Sequence, residues 1–464
     1  MIKDIVAPVV AAAALVCAGC NSTCPPAPPR VQVHTATPPV AVLPLHVEPG
    51  KRYLVDAAGR PFLLQGDAAW SLIAQPKDAD VERYLQDRRS RGFNTILVNL
   101  IEHHYADHAP KDAAGDPPFL KPGDFNSPNE KYFEHADWVL HKAADAGFLV
   151  LLFPAFLGYE GTDHGWYHEM DRSDPATLRA YGHYVGERYK SFPNIIWMNA
   201  GDNNPPDRAF VNAIAAGIQD ADPGALQSAE SGPDTSAIEY WGDQKWLKLD
   251  AIYSHRPVFL YALRQYVRPE RMPFFLVESL YENDRAAPLP HEEATPTRIR
   301  TQAYQALLSG ATGHVFGNSP LWNFNGQAPS NATRRWQDEL DTKGSRSMSH
   351  LYALFSAHKW WTLTPDISRR LLLAGRGEGQ ERATAAFAAD RSFALIYVPS
   401  ARHIAVNCAL LGPDVRLRWF DPSDGSYRPA PVSVSLLGTG VLKTPGRNAD
   451  GDADWVLLLE AGQP

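Results

Sequence analysis

The sequence predicts an α/β protein, a (β/α)8 TIM barrel followed by a small antiparallel β-sandwich domain. Three observations carry this. Eight short apolar runs recur through residues 46–365, with helix-type patterns between most of them. The runs are apolar on consecutive residues, as in a parallel sheet covered on both faces, rather than strictly alternating. From residue 366 to 464 the texture changes to short alternating runs broken by turn signals such as GRGEG (375–379) and DPSDGSY (421–427). That pattern reads as a sandwich of about 100 residues.

In chain order, the first element is a leader. Residues 1–19 have a short start with Lys3 and an apolar run from Ile5 to Val16, too short to span a bilayer as a stable anchor. Small residues Ala18 and Gly19 precede Cys20, which resembles a bacterial lipoprotein signal with Cys17 in place of the usual Leu. The resemblance implies export, lipidation of Cys20 and a membrane partner reached through that lipid. Residues 20–45 are rich in Pro, Thr and Ser and read as an extended tether. Of the four cysteines, Cys17 leaves with the leader, Cys24 lies in the tether and Cys408 in an apolar stretch, so no disulfide framework is expected.

The barrel strands are FLLQGD (62–67), NTILVNLI (94–101), FLVLLFPAF (148–156), NIIWMN (194–199), LQSAE (226–230), LDAIYSH (249–255), PFFLVES (273–279) and GHVFGN (313–318). The helix over 78–93 is expected to open on an Asp cap and stop at Gly92; that over 130–148 stops at Gly147. The helix over 174–192 carries an Asp cap and Pro in its first turn, and 295–313 is similar. The fifth unit, 237–250, has room for only a short helix.

Composition narrows the chemistry. With 12 Trp and 18 Tyr, aromatics exceed what a core needs and suit the C–H faces of sugar rings. The formal charge of −8, without a basic stripe, argues against nucleic acid as a partner. There is no G-x-S-x-G elbow for a serine esterase and no glycine-rich phosphate loop. His103, His104 and His108 do not space as metal ligands, and NADGDAD (448–454) lacks the later Glu of a calcium loop, so it reads as a solvated hairpin turn. No cofactor and no metal are expected.

In such a barrel the chemistry gathers at the C-terminal strand ends. There the sequence has Asp67 and Trp70, Asn99, Asp202 and Asn203, Glu230, His255, Glu278 and Tyr281, and Trp322. Strands four and seven face each other across the mouth, so Asp202 and Glu278 can flank a glycosidic bond as proton donor and nucleophile or base. The amides and aromatics near Asp202 favour its protonated form. Glu282 is a rival for the role of Glu278. Asp67, Trp70, Asn99, Asn203, His255, Tyr281 and Trp322 are candidate sugar-binding residues. The alternatives are a carbohydrate-binding lipoprotein that captures sugar without cleaving it, and an endo-acting glucanase-like enzyme with an open cleft.

The segments PFLLQGDAAWSL (61–72), YLQDRRSRGFNTILVNL (84–100), PNIIWMNAGDNN (193–204) and FFLVESLYEND (274–284) resemble the apiosidase-like glycoside hydrolases, glycoside hydrolase family 140. The tail over 393–427 looks like the β-sandwich module, labelled collagen-binding, that follows this barrel in many relatives. The resemblance implies an Asp acid/base at Asp202, a Glu nucleophile at Glu278 and hydrolysis of apiose linkages in pectin side chains. The family's Gly-Gly-Asp is here Ala200-Gly201-Asp202.

Overall fold

The computed structural model describes residues 31–32, 40–159, 162–284, 294–326, 334–432 and 438–462. The expected leader, Cys20 and most of the tether lie outside them. Eight parallel strands form the barrel: β1 (Leu64–Ala68), β2 (Thr95–Asn99), β3 (Leu149–Phe153), β4 (Ile195–Ala200), β5 (Gln227–Glu230), β6 (Asp250–Tyr253), β7 (Phe274–Glu278) and β8 (Gly313–Phe316). β8 returns to β1 in parallel register, Gly313 beside Leu64 and Phe316 beside Asp67. β5 is joined to the segment leading into β6 by one parallel bridge, Gln227 to Leu247, and the Ser228 hydroxyl donates to the Leu249 carbonyl at 2.7 Å. Nearly every strand residue is buried, which is why the runs are apolar without alternation.

The covering helices are α1 (Asp78–Ser90), α2 (Glu130–Asp145), α3 (Pro175–Tyr189), α4 (Ala209–Ala221), α5 (Ala237–Trp241), α6 (Val258–Tyr266), α7 (Pro296–Leu308) and α8 (Lys343–Ser356). Asp174 caps α3 by accepting from the Thr177 N–H at 2.9 Å, and Thr295 caps α7. α1 departs from expectation. Its cap position is Lys77, with no side-chain cap bond, and Asp78 lies inside the first turn, where its charge faces the positive helix end. α5 is short, closed by a capping box between Ser236 and Glu239.

Three two-residue strands, His46–Val47, Leu54–Val55 and Pro61–Phe62, lie at the N-terminal end of the barrel, just ahead of β1. The C-terminal domain comprises β9 (Leu363–Pro365), β10 (Leu372–Ala374), β11 (Thr384–Ala388), β12 (Phe393–Val398), β13 (His403–Asn407), β14 (Val415–Phe420), β15 (Ser426–Pro429), β16 (Thr439–Lys443) and β17 (Trp455–Ala461). One antiparallel sheet runs β15-β14-β17-β12-β11-β9; β10, β13 and β16 form the other. β9 belongs to the first sheet, so the sandwich begins ahead of residue 366. The tether is not wholly free of structure either, since Val31–Gln32 pairs with β15.

The acid-rich turn at 448–454 is not a solvated hairpin. Arg300 on α7, fully buried, reaches into it: Nε lies 2.7 Å from Asp454 Oδ2 and Nη2 lies 2.7 Å from Asp452 Oδ2. The Tyr397 hydroxyl and the Asn448 amide donate to the same Asp454 carboxylate, at 2.9 and 2.8 Å. The turn is an ionic clasp between the domains.

Candidate active site

β4 ends in three successive residues with left-handed backbone: Ala200 (φ +64°), Gly201 (φ +113°) and Asp202 (φ +54°). Such conformations cost non-glycine residues on the order of 1 kcal/mol or more each and concentrate at functional sites. At Gly201 a side chain is also excluded by space, because a Cβ there would lie 2.3 Å from the Phe156 ring. The Gly201 N–H donates to the Glu230 carbonyl at 3.0 Å, tying the turn to the end of β5. The result is a carboxyl lifted to the mouth of the barrel.

There Asp202 and Glu278 border one cavity of about 400 Å3. Both are partly exposed to it. Its walls are Trp70, Tyr105, Phe156, Tyr159, Tyr253, Tyr281 and Trp322, with His164, His255, Ser279 and Asp284 between them. The Trp70 ring packs on Phe153 and Phe156, at 4.9 and 5.0 Å between centroids. Trp322 stands edge-on to Tyr105 at 4.9 Å. Asp202 also borders a second cavity of about 360 Å3, lined by Tyr167, Asn203, Asn204, Pro206, Gly232 and Pro233.

A third acid completes the site. Asp202, Glu230 and Glu278 each bring one carboxyl oxygen within 4.8 Å of the others. Glu230 is fully buried, and neither of its carboxyl oxygens has a hydrogen-bond partner among the described residues. Burial pushes the Asp202 carboxyl up to about 7. It also pushes Glu230 and Glu278 well above the usual range; Glu230 is raised further by the charges of Glu278 and Asp202, and Glu278 by that of Asp202. Only Glu278 has side-chain donors that oppose the rise. The Tyr281 hydroxyl donates to its Oε2 at 2.8 Å and itself accepts from Trp70 Nε1 at 2.8 Å. The Tyr253 hydroxyl also bears on Glu278. Burial is common to all three acids; the tyrosine donors at Glu278 favour its charged form, a support that Asp202 lacks. Three carboxyl oxygens at this spacing are also a donor set that a hard cation accepts.

The structure brings Asp202, Glu278, Trp70, His255, Tyr281 and Trp322 around one cavity and leaves other expected residues outside it. Asp67 is fully buried on the far side of β1, where the pleat turns it toward α1. It accepts from the Tyr84 hydroxyl at 2.7 Å and sits 3.7 Å from Arg88 Nε, and burial raises it to about 6. Asn99 is buried beneath the Trp70 segment, its N–H donating to the Trp70 carbonyl at 2.9 Å. Asn203 faces the second cavity, with its amide on the Gly158 carbonyl at 3.3 Å. His255 is one step from Glu278, 3.4 Å from the Tyr253 hydroxyl. Glu282 is no rival to Glu278: it accepts from Thr342 Oγ1 at 2.5 Å and the Gly344 N–H at 2.8 Å, holding the start of α8. Glu230 stands at a strand end in the sequence but was not among the expected site residues. Tyr105 and Tyr253 carried no sequence signal beyond being aromatic near a strand end.

A barrel that sets carboxyl groups over an aromatic-walled cavity at its C-terminal rim is that of a glycoside hydrolase. Two solved structures match nearly the whole chain. One, described as a glycoside hydrolase, is 22% identical with a TM-score of 0.77, over 90% of this chain and 97% of its own. The other, a family 5 glycoside hydrolase from Bacteroides vulgatus, is also 22% identical with a TM-score of 0.77, over 90% of this chain and 93% of its own. At that identity the likeness is one of fold. The chain belongs to the apiosidase-like family, whose catalytic-domain model ("Apiosidase-like, catalytic domain") matches residues 48–362. Residues 365–460 match the family described as "Putative collagen-binding domain of a collagenase". No curated protein matches the chain.

Proposed function

We propose that the enzyme is a retaining exo-glycosidase in which Glu278 is the nucleophile and Asp202 the acid/base. The observation that carries this is the approach of their carboxyl oxygens to within 4.8 Å across one cavity. Retaining glycosidases hold the pair at about 5–5.5 Å, whereas inverting enzymes leave roughly 6.5–9.5 Å for a water. Glu278 attacks the anomeric carbon while Asp202 protonates the departing oxygen, giving a glycosyl ester on Glu278. Asp202, now a carboxylate, takes a proton from water; the water oxygen bonds to the anomeric carbon as the ester bond to Glu278 breaks, restoring both groups.

The position of Asp202 on the border of two cavities supports the role of proton donor. The sugar that is released sits in the 400 Å3 aromatic cavity, and the remainder of the substrate lies toward Asn203 and Tyr167. A cavity of that size accommodates a terminal furanose or pyranose and favours end-on attack over the open cleft of an endo-enzyme. The family membership supports apiose on a plant-type polysaccharide side chain as the first substrate to try. Export and lipidation at Cys20 form part of the same proposal and rest on the leader sequence; the anchor would hold the enzyme at the bacterial envelope.

The test is a pair of conservative variants with a product assay. Asp202→Asn and Glu278→Gln each reduce turnover by several orders of magnitude without unfolding the barrel, and NMR of the first-formed sugar shows retained anomeric configuration. Full activity in either variant overturns the role assignment, and an inverted product overturns the covalent step. Labelling of the chain with radioactive palmitate in a bacterial host, abolished by Cys20→Ala, tests the anchor.

A further inference from the structure

A cavity of about 640 Å3 lies at the opposite end of the barrel from Glu278, in the seam with the sandwich. Its walls include Arg271, which precedes β7, and Gly310 and Ala311, which precede β8, with Thr362–Thr364 from the sandwich side. Three cations line it, Lys51, Arg52 and Arg271, and no acid does. None of the three has an ion-pair partner among the described residues. In a chain with 52 acidic and 44 basic residues, three cations and no acid around one concavity give it a positive potential that favours an anion.

The details point to an external anion. The Arg52 guanidinium lies over the Tyr266 ring, 4.6 Å from its centroid, which fixes its plane. Its Nη1 is buried with no hydrogen-bond partner. Arg271 is near enough for its charge to bear on that of Arg52. Two guanidiniums facing a common space are suited to bidentate capture of a carboxylate. Aromatic rings form part of the remaining wall, with Tyr53 edge-on to Trp360 at 6.1 Å and Trp360 edge-on to Trp361 at 6.1 Å. Rings beside guanidiniums suit a ligand that is a sugar on one side and an anion on the other.

We propose that this cavity binds a carboxylated sugar, a uronic-acid unit of an oligosaccharide, with its carboxylate on Arg52 and Arg271 and its ring against the aromatic wall. The site is separate from the reacting acids and does not depend on their assigned roles. It gives the enzyme a second hold on an acidic polysaccharide while the mouth works on a side chain.

The test uses the full-length Glu278→Gln protein, so that catalysis does not enter, with trigalacturonate, its fully methyl-esterified form and inorganic phosphate as calorimetric probes. Trigalacturonate is expected to bind, the ester at least tenfold more weakly, and phosphate more weakly still. Arg271→Gln, an exposed position, is expected to weaken trigalacturonate at least tenfold with an unchanged melting temperature. Equal binding of acid and ester overturns the carboxylate contact. Equal binding of phosphate reduces the site to a general anion site and overturns the sugar. Undetectable trigalacturonate binding, or binding unaffected by Arg271→Gln, overturns the proposal outright.

Discussion

The Tyr281 hydroxyl donates to Glu278 Oε2 at 2.8 Å while accepting from Trp70 Nε1 at the same distance. One acid of the site is therefore backed by a two-step line of donors running from the cavity wall, and its partner Asp202 has no such support. A hydrogen bond to the charged form lowers a carboxyl's affinity for protons, so this line favours the ionised form of Glu278 against the burial and the Asp202 charge that oppose it.

Removing the donor has a definite sign. Tyr281→Phe raises the pKa of Glu278, so the acid limb of the kcat/KM profile moves to higher pH, and activity falls on the order of 10- to 100-fold through loss of a charge-assisted bond. Trp70→Phe, which removes only the second step, shifts the same limb by less. Profiles of the two variants measured side by side check the order.

With the proposed roles, the alkaline limb belongs to Asp202. The acid/base must hold its proton to start the reaction, and burial places its midpoint at about 7, so the rate falls as pH rises through that value. Glu230 is buried between two acids, and burial and their charges push it well above the usual carboxylate range, which favours its protonated form. Glu230→Gln is then nearly isosteric and leaves both the rate, within about threefold, and the alkaline limb in place. Were Glu230 ionised, the amide would remove a repelling charge and move that limb to lower pH. Glu230→Ala, by contrast, opens a void beside Asp202 and lowers turnover through lost positioning.

The three carboxyl oxygens within 4.8 Å admit a second chemistry that is easily separated from the first. With an acid/base pair, EDTA leaves the hydrolytic rate unchanged. A loss restored by adding back a divalent cation would reassign the trio as metal ligands.

Gly201 is the tightest point of the turn. Gly201→Ala places a methyl group against the Phe156 ring, 2.3 Å from its nearest atom, at φ +113°. The turn and the cavity wall cannot both stay in place. The expected result is a loss of kcat of at least tenfold and of about 2 kcal/mol in stability, read from turnover and denaturant melts.

Much of the barrel could be read from the chain because parallel strands covered on both faces leave an unbroken apolar imprint, and the acid that ends each one is visible against it. Asp202 and Glu278 stood out for that reason. What remained hidden depended on direction or distance. Asp67 has the same strand-end signature, yet the pleat aims it at Arg88 and Tyr84 on α1. Glu282 lies four residues past Glu278 and differs only in turning toward Thr342 and Gly344. Glu230 ends the polar strand QSAE, and its burial beside Asp202 and Glu278 depends on how three strand ends converge in space. The acids at 450–454 read as a wet loop because their partner, Arg300, is some 150 residues away in the chain.

That partnership has a consequence for the whole molecule. Arg300 grows from a barrel helix, but its charge is neutralised wholly by the other domain. A barrel cut away from its C-terminal module would lose all three carboxylate partners of Arg300 and keep only the Ser347 and Thr297 hydroxyls beside it. The two domains should therefore melt as one unit. The docked pair is an electrostatic latch: high salt or a neutral residue at position 300 loosens the module from the barrel before either domain loses its own core.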